Sequence, residues 1–91
     1  MKTTEAKAAA VKFRRLTRRL AGRLSTAFDL CFRARVIADG SVIFEDADRG
    51  VSLVVERVDY WTWRVNDRAR YVVERDTLEG VVGSVIRIGV I

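Results

Sequence analysis

The sequence contains no histidine and no proline, and its only cysteine is Cys31. Without histidine, the chain lacks the side chain that most often acts as general base and metal ligand near neutral pH. A single cysteine can form neither an intramolecular disulfide nor a zinc site built from several cysteines. In a strand of alternating pattern, we expect Cys31 to be a packing residue rather than a nucleophile. These absences predict a protein that is not an enzyme and that holds no metal and no cofactor.

Long apolar runs are missing as well. The chain has no stretch of about 18 apolar residues, which is what a membrane-spanning helix requires. Its N-terminus lacks the apolar core and the small-residue cleavage site of a secretory signal. The lone cysteine fits a reducing compartment. At 91 residues, the chain has the length of one small domain, 1–91. We therefore expect a single cytoplasmic domain with no membrane insertion.

Charge is distributed unevenly along the chain. Residues 1–37 hold ten lysines and arginines but only two acidic residues, a balance of +8. Residues 38–91 hold seven arginines and ten acidic residues, a balance of −3. Such an asymmetry is typical of a protein whose basic part binds a polyanion or an acidic protein surface.

The basic part predicts an amphipathic helix over residues 4–24. On a helical wheel, Phe13, Leu16, Leu20 and Leu24 share one side with several alanines, while the cations occupy the other side. Thr3 or Thr4 is the candidate N-cap, and Gly22 or Ser25 marks the expected end. An alternative remains, because the 3–4 spacing continues through Ala27 and Cys31 and would extend the helix toward residue 34. The cations of the exposed side are Lys12, Arg14, Arg15, Arg18, Arg19 and Arg23.

After Thr26 the apolar period changes from helical to alternating, which favours strands over residues 27–91. Phe28, Leu30, Phe32, Ala34 and Val36 alternate with polar residues. Asp39-Gly40 between apolar runs predicts a hairpin with a type I′ turn. Further strands are expected in the segments 41–45, 51–58, 60–65, 70–76 and 81–91, with turns at 46–50 and 66–69.

The expected fold is therefore α+β, with the N-terminal amphipathic helix packed on a curved antiparallel meander of five to six strands. Several strands appear apolar on both faces in the sequence, for example at Leu53 and Val54. One helix covers only one face, so the second face must be closed by curling into a small open barrel or be covered by another copy of the chain. A homo-oligomer is the expected state, with the strand 81–91 or the tryptophan strand at the contact.

The stretch RVIADGSVIFEDADRGVSLVV resembles the first motif of the Sm-like RNA-binding barrels, in which a strand, a DG turn, an acidic residue and an apolar strand follow in order. The C-terminal GSVIRIGVI is loosely similar to their second motif. The Gly and Asn of the family motif after the turn are missing here. The resemblance implies a short helix followed by five bent strands, and it transfers no binding residue to this chain.

The composition leaves binding as the expected function. The six helix cations, extended by Arg33 and Arg35, form a candidate surface for nucleic acid or for an acidic partner. Aromatic residues among arginines favour base stacking, although a core or interface role is the commoner explanation for such residues on a strand. We expect a non-catalytic basic module that contacts nucleic acid or a nucleic-acid-handling complex. The alternatives are a protein-binding inhibitor or accessory factor of viral or mobile-element type, and a structural self-assembling subunit. The aromatic candidates are Tyr60, Trp61, Trp63 and Tyr71.

Overall fold

The computed structural model describes residues 2–58, 62–65, 71–74 and 78–89, with side chains described in all of these except 2–6 and 71–74. The chain is α+β, as predicted, with a helix at each end of an antiparallel meander. Strands β1 to β4 are described with their side chains, and β5 is described by its backbone pairing alone. The elements are α1 (Lys2–Phe28), β1 (Arg33–Val36), β2 (Val42–Asp46), β3 (Val51–Arg57), β4 (Thr62–Val65), β5 (Tyr71–Glu74) and α2 (Leu78–Ile88).

The first hairpin lies where the Asp39-Gly40 pair predicts it. Ile37 N donates to Ser41 O at 2.8 Å, so residues 38–40 form a three-residue loop. Among its residues only Gly40, at φ 92°, has positive φ, and the predicted type I′ turn is therefore wrong. Asp39 Oδ1 accepts a hydrogen bond from Ser41 N at 2.9 Å, and this bond lowers the pKa of the Asp39 carboxyl. The loop fixes the register of β1 on β2, which pairs Val36 with Val42.

Helix α1 is longer than predicted and ends at Phe28 rather than near Gly22 or Ser25. Leu20 and Leu24 are fully buried, and Phe28 packs against the core, so continued burial outweighs the weak helix propensity of Gly22. Ser25 Oγ donates to Ala21 O at 2.7 Å, which occupies its hydroxyl within the helix. The predicted strand at residues 27–32 is therefore wrong.

The end of α1 is made by Asp29, which has a φ of 53°. Leu30 N donates to Ser25 O at 3.1 Å, the six-to-one hydrogen bond that closes many helix C-termini. An Asp tolerates this left-handed conformation better than most residues other than Gly. The turn reverses the chain, so that β1 follows directly after α1.

The C-terminal segment, predicted as a strand over 81–91, is instead α2. Leu78, Val81, Val82 and Val85 are buried at the spacing of one helical face. In a strand, Val81 and Val85 would lie on one face and Val82 and Ile86 on the other, and such β-branched side chains favour strands, so packing decides the outcome. The helix ends at Gly89, whose φ is 72°.

The core lies on one face of the sheet. It includes the inward side chains of Phe44, Leu53 and Trp63, and both helices contribute to the same buried cluster. The opposite face carries charged cross-strand pairs, such as Glu56 with Arg64 at 3.5 Å. The sheet does not close into a barrel, because β1 and β5 are its two edges, so the barrel alternative does not apply. Helix α2 packs on the same face as α1, so it does not cover the outer face, which carries these charged pairs.

Candidate functional site

The predicted cations of α1 are all exposed, but they do not form one uniform face. On a helical wheel of 100° per residue with Phe13 at 0°, the arginines Arg14 and Arg18 lie at about 100° and 140°. The other four lie between about 200° and 280°. We call these four the helix row, and its members are Lys12, Arg15, Arg19 and Arg23.

The helix row runs along α1 on the side that faces α2. Its members follow at intervals of three, four and four residues, so the row extends about 16 Å along the axis. Arg19 Nη2 lies 3.1 Å from Glu79 Oε1 on α2. Both side chains are more than half exposed, so this pair contributes about 0–1 kcal/mol to stability. Within the described part of the chain, Lys12, Arg15 and Arg23 make no ion pair, and their charges are available to a ligand.

Arg14 and Arg18 border a groove between α1 and β1, which has a volume of about 780 Å³. We call it the α1–β1 groove. Its helix wall also includes Phe13 and Ala21, and its strand wall includes Ala34. No acidic residue lines it, and its lining combines a largely apolar surface with cations at the border. The full lining is Ala10, Phe13, Arg14, Thr17, Arg18, Ala21, Gly22, Phe32, Arg33, Ala34, Val36, Ile37 and Ala38.

Strand β1 is one edge of the sheet, because the strand order is β1-β2-β3-β4-β5. The bond from Ile37 N to Ser41 O sets the alternation of the ladder. By that alternation, the backbone groups of Arg33 and Arg35 point toward β2 and those of Ala34 and Val36 point away from it. None of the described residues forms a hydrogen bond with these outward groups of Ala34 and Val36. The α1–β1 groove therefore lies along an unpaired strand edge.

The sequence suggested that Arg33 and Arg35 extend the surface of the helix cations, but in the structure they do not continue the helix row. Their register positions lie opposite Glu45 and Ile43, on the sheet face that points away from the helices. Arg35 Nε lies 3.7 Å from Glu45 Oε1, in an exposed pair. The eight predicted cations thus divide into the helix row, the two helix arginines at the groove, and the two arginines of β1, of which Arg33 also borders the groove.

Of the four predicted stacking aromatics, Trp63 is the one whose side chain the structure describes. Trp63 is only 2% exposed and belongs to the core. The Arg57 guanidinium lies 4.9 Å from the centroid of its ring, a cation–π contact. Tyr60 and Trp61 lie outside the described residues, and for Tyr71 only the backbone position opposite Val65 is described. Stacking by Trp63 is therefore excluded by its burial.

The buried carboxylate of Asp46 has a structural role that sequence reasoning missed. Its Oδ2 accepts from Cys31 N at 2.9 Å and its Oδ1 from Arg49 N at 3.2 Å. The hydrogen bond from Cys31 N is the main reason that the pKa of Asp46 is lowered. Cys31 itself is exposed in the link between α1 and β1, so the expectation that it packs in a strand is wrong. The sequence did contain a signal for this role, because Asp46 is the first residue of the DADRG turn, a position where a carboxylate often accepts backbone hydrogen bonds.

In the described ranges, no three cysteine or acidic side chains gather in a way that would hold a metal ion. No described helix combines the length and the hydropathy that a membrane span requires. The chain matches no protein-family model, and comparison with curated proteins and with solved structures gave no match either.

Proposed function

We propose that the protein is a non-catalytic binding module that contacts the phosphate backbone of nucleic acid through the helix row of α1. The observation that carries the proposal is the continuous line of exposed cations, three of which make no ion pair among the described residues. Arginine suits this role because its planar guanidinium can bind two phosphate oxygens at once. The expected location of such a module is the cytoplasm.

The physical basis of binding is counterion release. Each phosphate neutralised by a cation frees condensed ions, so the affinity falls with salt at a log–log slope of about −0.9 per contact on duplex DNA. The helix row alone predicts a slope of about −4, and engagement of Arg14 and Arg18 as well predicts a slope of about −5. Arg19 has to exchange Glu79 for phosphate, which an exposed pair of this kind permits at small cost.

The test measures the binding of fluorescently labelled duplex and single-stranded oligonucleotides over a series of salt concentrations. The double variant R15Q/R23Q should reduce the magnitude of the slope by about 1.8. Gln is a good helix former, so folding should be kept. The matched control R35Q/R64Q removes the same charge from the outer sheet face and should leave the slope unchanged.

The alternative, docking on an acidic protein surface, uses the same cations. If the wild type binds no oligonucleotide even at low salt, the nucleic-acid proposal is wrong and an acidic protein becomes the partner to seek.

Self-association also stays a prediction. A strand at 81–91 cannot form the contact, because residues 81–88 belong to α2. Sedimentation at high micromolar concentration tests it directly, and a clean monomer would contradict it.

A further inference from the structure

The α1–β1 groove has the dimensions of a short extended peptide. Its helix wall, residues 10–22, rises about 18 Å, and its strand wall, residues 32–38, rises about 20 Å. Five to six residues of extended chain cover the same length. The volume of about 780 Å³ lies in the range of pockets that take ligands of this size.

The strand wall offers backbone groups as well as space. The N–H and C=O groups of Ala34 and Val36 point out of the sheet and have no partner among the described residues. An exposed edge of this kind pairs readily with another strand, and many peptide-binding domains use it. Strand addition to β1 would satisfy these groups and place the new strand beside α1.

The two sides of such a strand would meet different surroundings. Side chains opposite Ala34 and Val36 would face the groove, which contains the partly buried Phe13. Side chains opposite Arg33 and Arg35 would face the outer side of the sheet, where both arginines are exposed. Successive residues of a strand point to opposite faces, so a complementary peptide alternates apolar and acidic residues.

We infer that β1 binds an extended segment of a partner protein as an added strand, with its apolar residues in the α1–β1 groove and its acidic residues against Arg33 and Arg35. Arg14 and Arg18, at the border of the groove, add to the attraction for a negatively charged peptide. This site goes beyond the proposed function and does not rest on it, since the helix row takes no part.

The first experiment uses capped six-residue peptides of aspartate and valine, titrated into the isotopically labelled protein and followed by NMR. A peptide that alternates Asp and Val should shift the amide resonances of Ala34 and Val36, because these amides gain hydrogen bonds. An isomer with three Val followed by three Asp has the same charge and composition, and it should bind much more weakly. Equal binding of the two peptides would overturn the proposal, because charge alone would then explain the attraction.

Backbone pairing is tested by a change in β1 and by changes in the peptide. The variant A34P removes an outward N–H that no described residue uses, and proline is tolerated at such edge positions. It should keep the circular dichroism spectrum and lose binding of the alternating peptide. If A34P does not fold, N-methylated peptides give the answer instead. Methylation of one alternating set of peptide amides should abolish binding, and methylation of the other set should be tolerated. Tolerance of both sets would contradict strand addition.

The cations separate this site from the nucleic-acid surface. R14Q/R18Q should weaken the alternating peptide by roughly twofold to tenfold, the range expected for two exposed charge pairs, whereas R15Q/R23Q should leave it unchanged. The same R15Q/R23Q variant should weaken oligonucleotide binding, so the two proposals fail independently. Two further results would overturn the peptide site: no binding of the alternating peptide, or loss of oligonucleotide affinity in A34P, which would assign the groove to nucleic acid.

Discussion

Replacing Gly22 by alanine distinguishes the observed course of α1 from the one that the sequence suggests. Gly22 lies in the interior of the helix, is exposed, and offers open space to a Cβ, with no atom within 4 Å. Glycine costs about 0.8–1.0 kcal/mol relative to alanine in a helix interior. Because no packing changes, we expect Gly22→Ala to raise the free energy of unfolding by about 1 kcal/mol. For a domain of this size, the melting temperature should rise by about 4–8 °C.

The sign of the change is the decisive result. If the helix ended at Gly22 in a left-handed conformation, alanine would destabilise the protein by about 1–2 kcal/mol. Urea and thermal unfolding, followed by far-ultraviolet circular dichroism, measure the difference. Gly40→Ala is the matched control, because Gly40 has a φ of 92° in the first hairpin and the substitution should destabilise. A destabilised Gly22→Ala would refute the continuous helix.

Substitutions at three other positions test the helix end, the core and the link between α1 and β1. Asp29→Gly should raise the free energy of unfolding, measured in denaturant, by about 0.5 kcal/mol. Gly relieves the strain of the left-handed backbone at this position, and the higher entropy of the unfolded chain offsets part of that gain. Trp63→Ala should cost about 3–5 kcal/mol, while Trp63→Phe should cost far less, since Trp63 Nε1 is buried without a partner among the described residues. The lowered pKa of Asp46 means that its stabilisation is present above the unfolded pKa of about 3.9 and is lost as the pH falls through the folded value. Asp46→Asn should therefore destabilise near neutral pH, and its difference from wild type in thermal melts should narrow below about pH 4; a constant difference would contradict this role.

Local patterns in the sequence were sufficient for the class of the fold and for an antiparallel sheet after the first helix. The apolar stripe through Leu16, Leu20 and Leu24 specifies the buried side of α1, and all three residues pack in or against the core. Asp39-Gly40 and the DADRG segment mark the first two turns, because they combine a hydrogen-bonding carboxylate with a glycine that adopts positive φ. Such signals depend on neighbours in the chain, which a single sequence displays in full.

Only the tertiary structure decided where α1 ends and what the C-terminal segment becomes. Gly22 and Ser25 are plausible stops in isolation, but Leu24 and Phe28 gain more by burial than the helix loses at Gly22. Val81, Val82 and Val85 fit both a strand and a helix, and contact with α1 and the sheet selects the helix. The division of the cations is tertiary too. Chain reversal at Asp29 sets β1 beside Arg14 and Arg18, while α2 lies near Arg19, so residues adjacent in sequence face different surfaces.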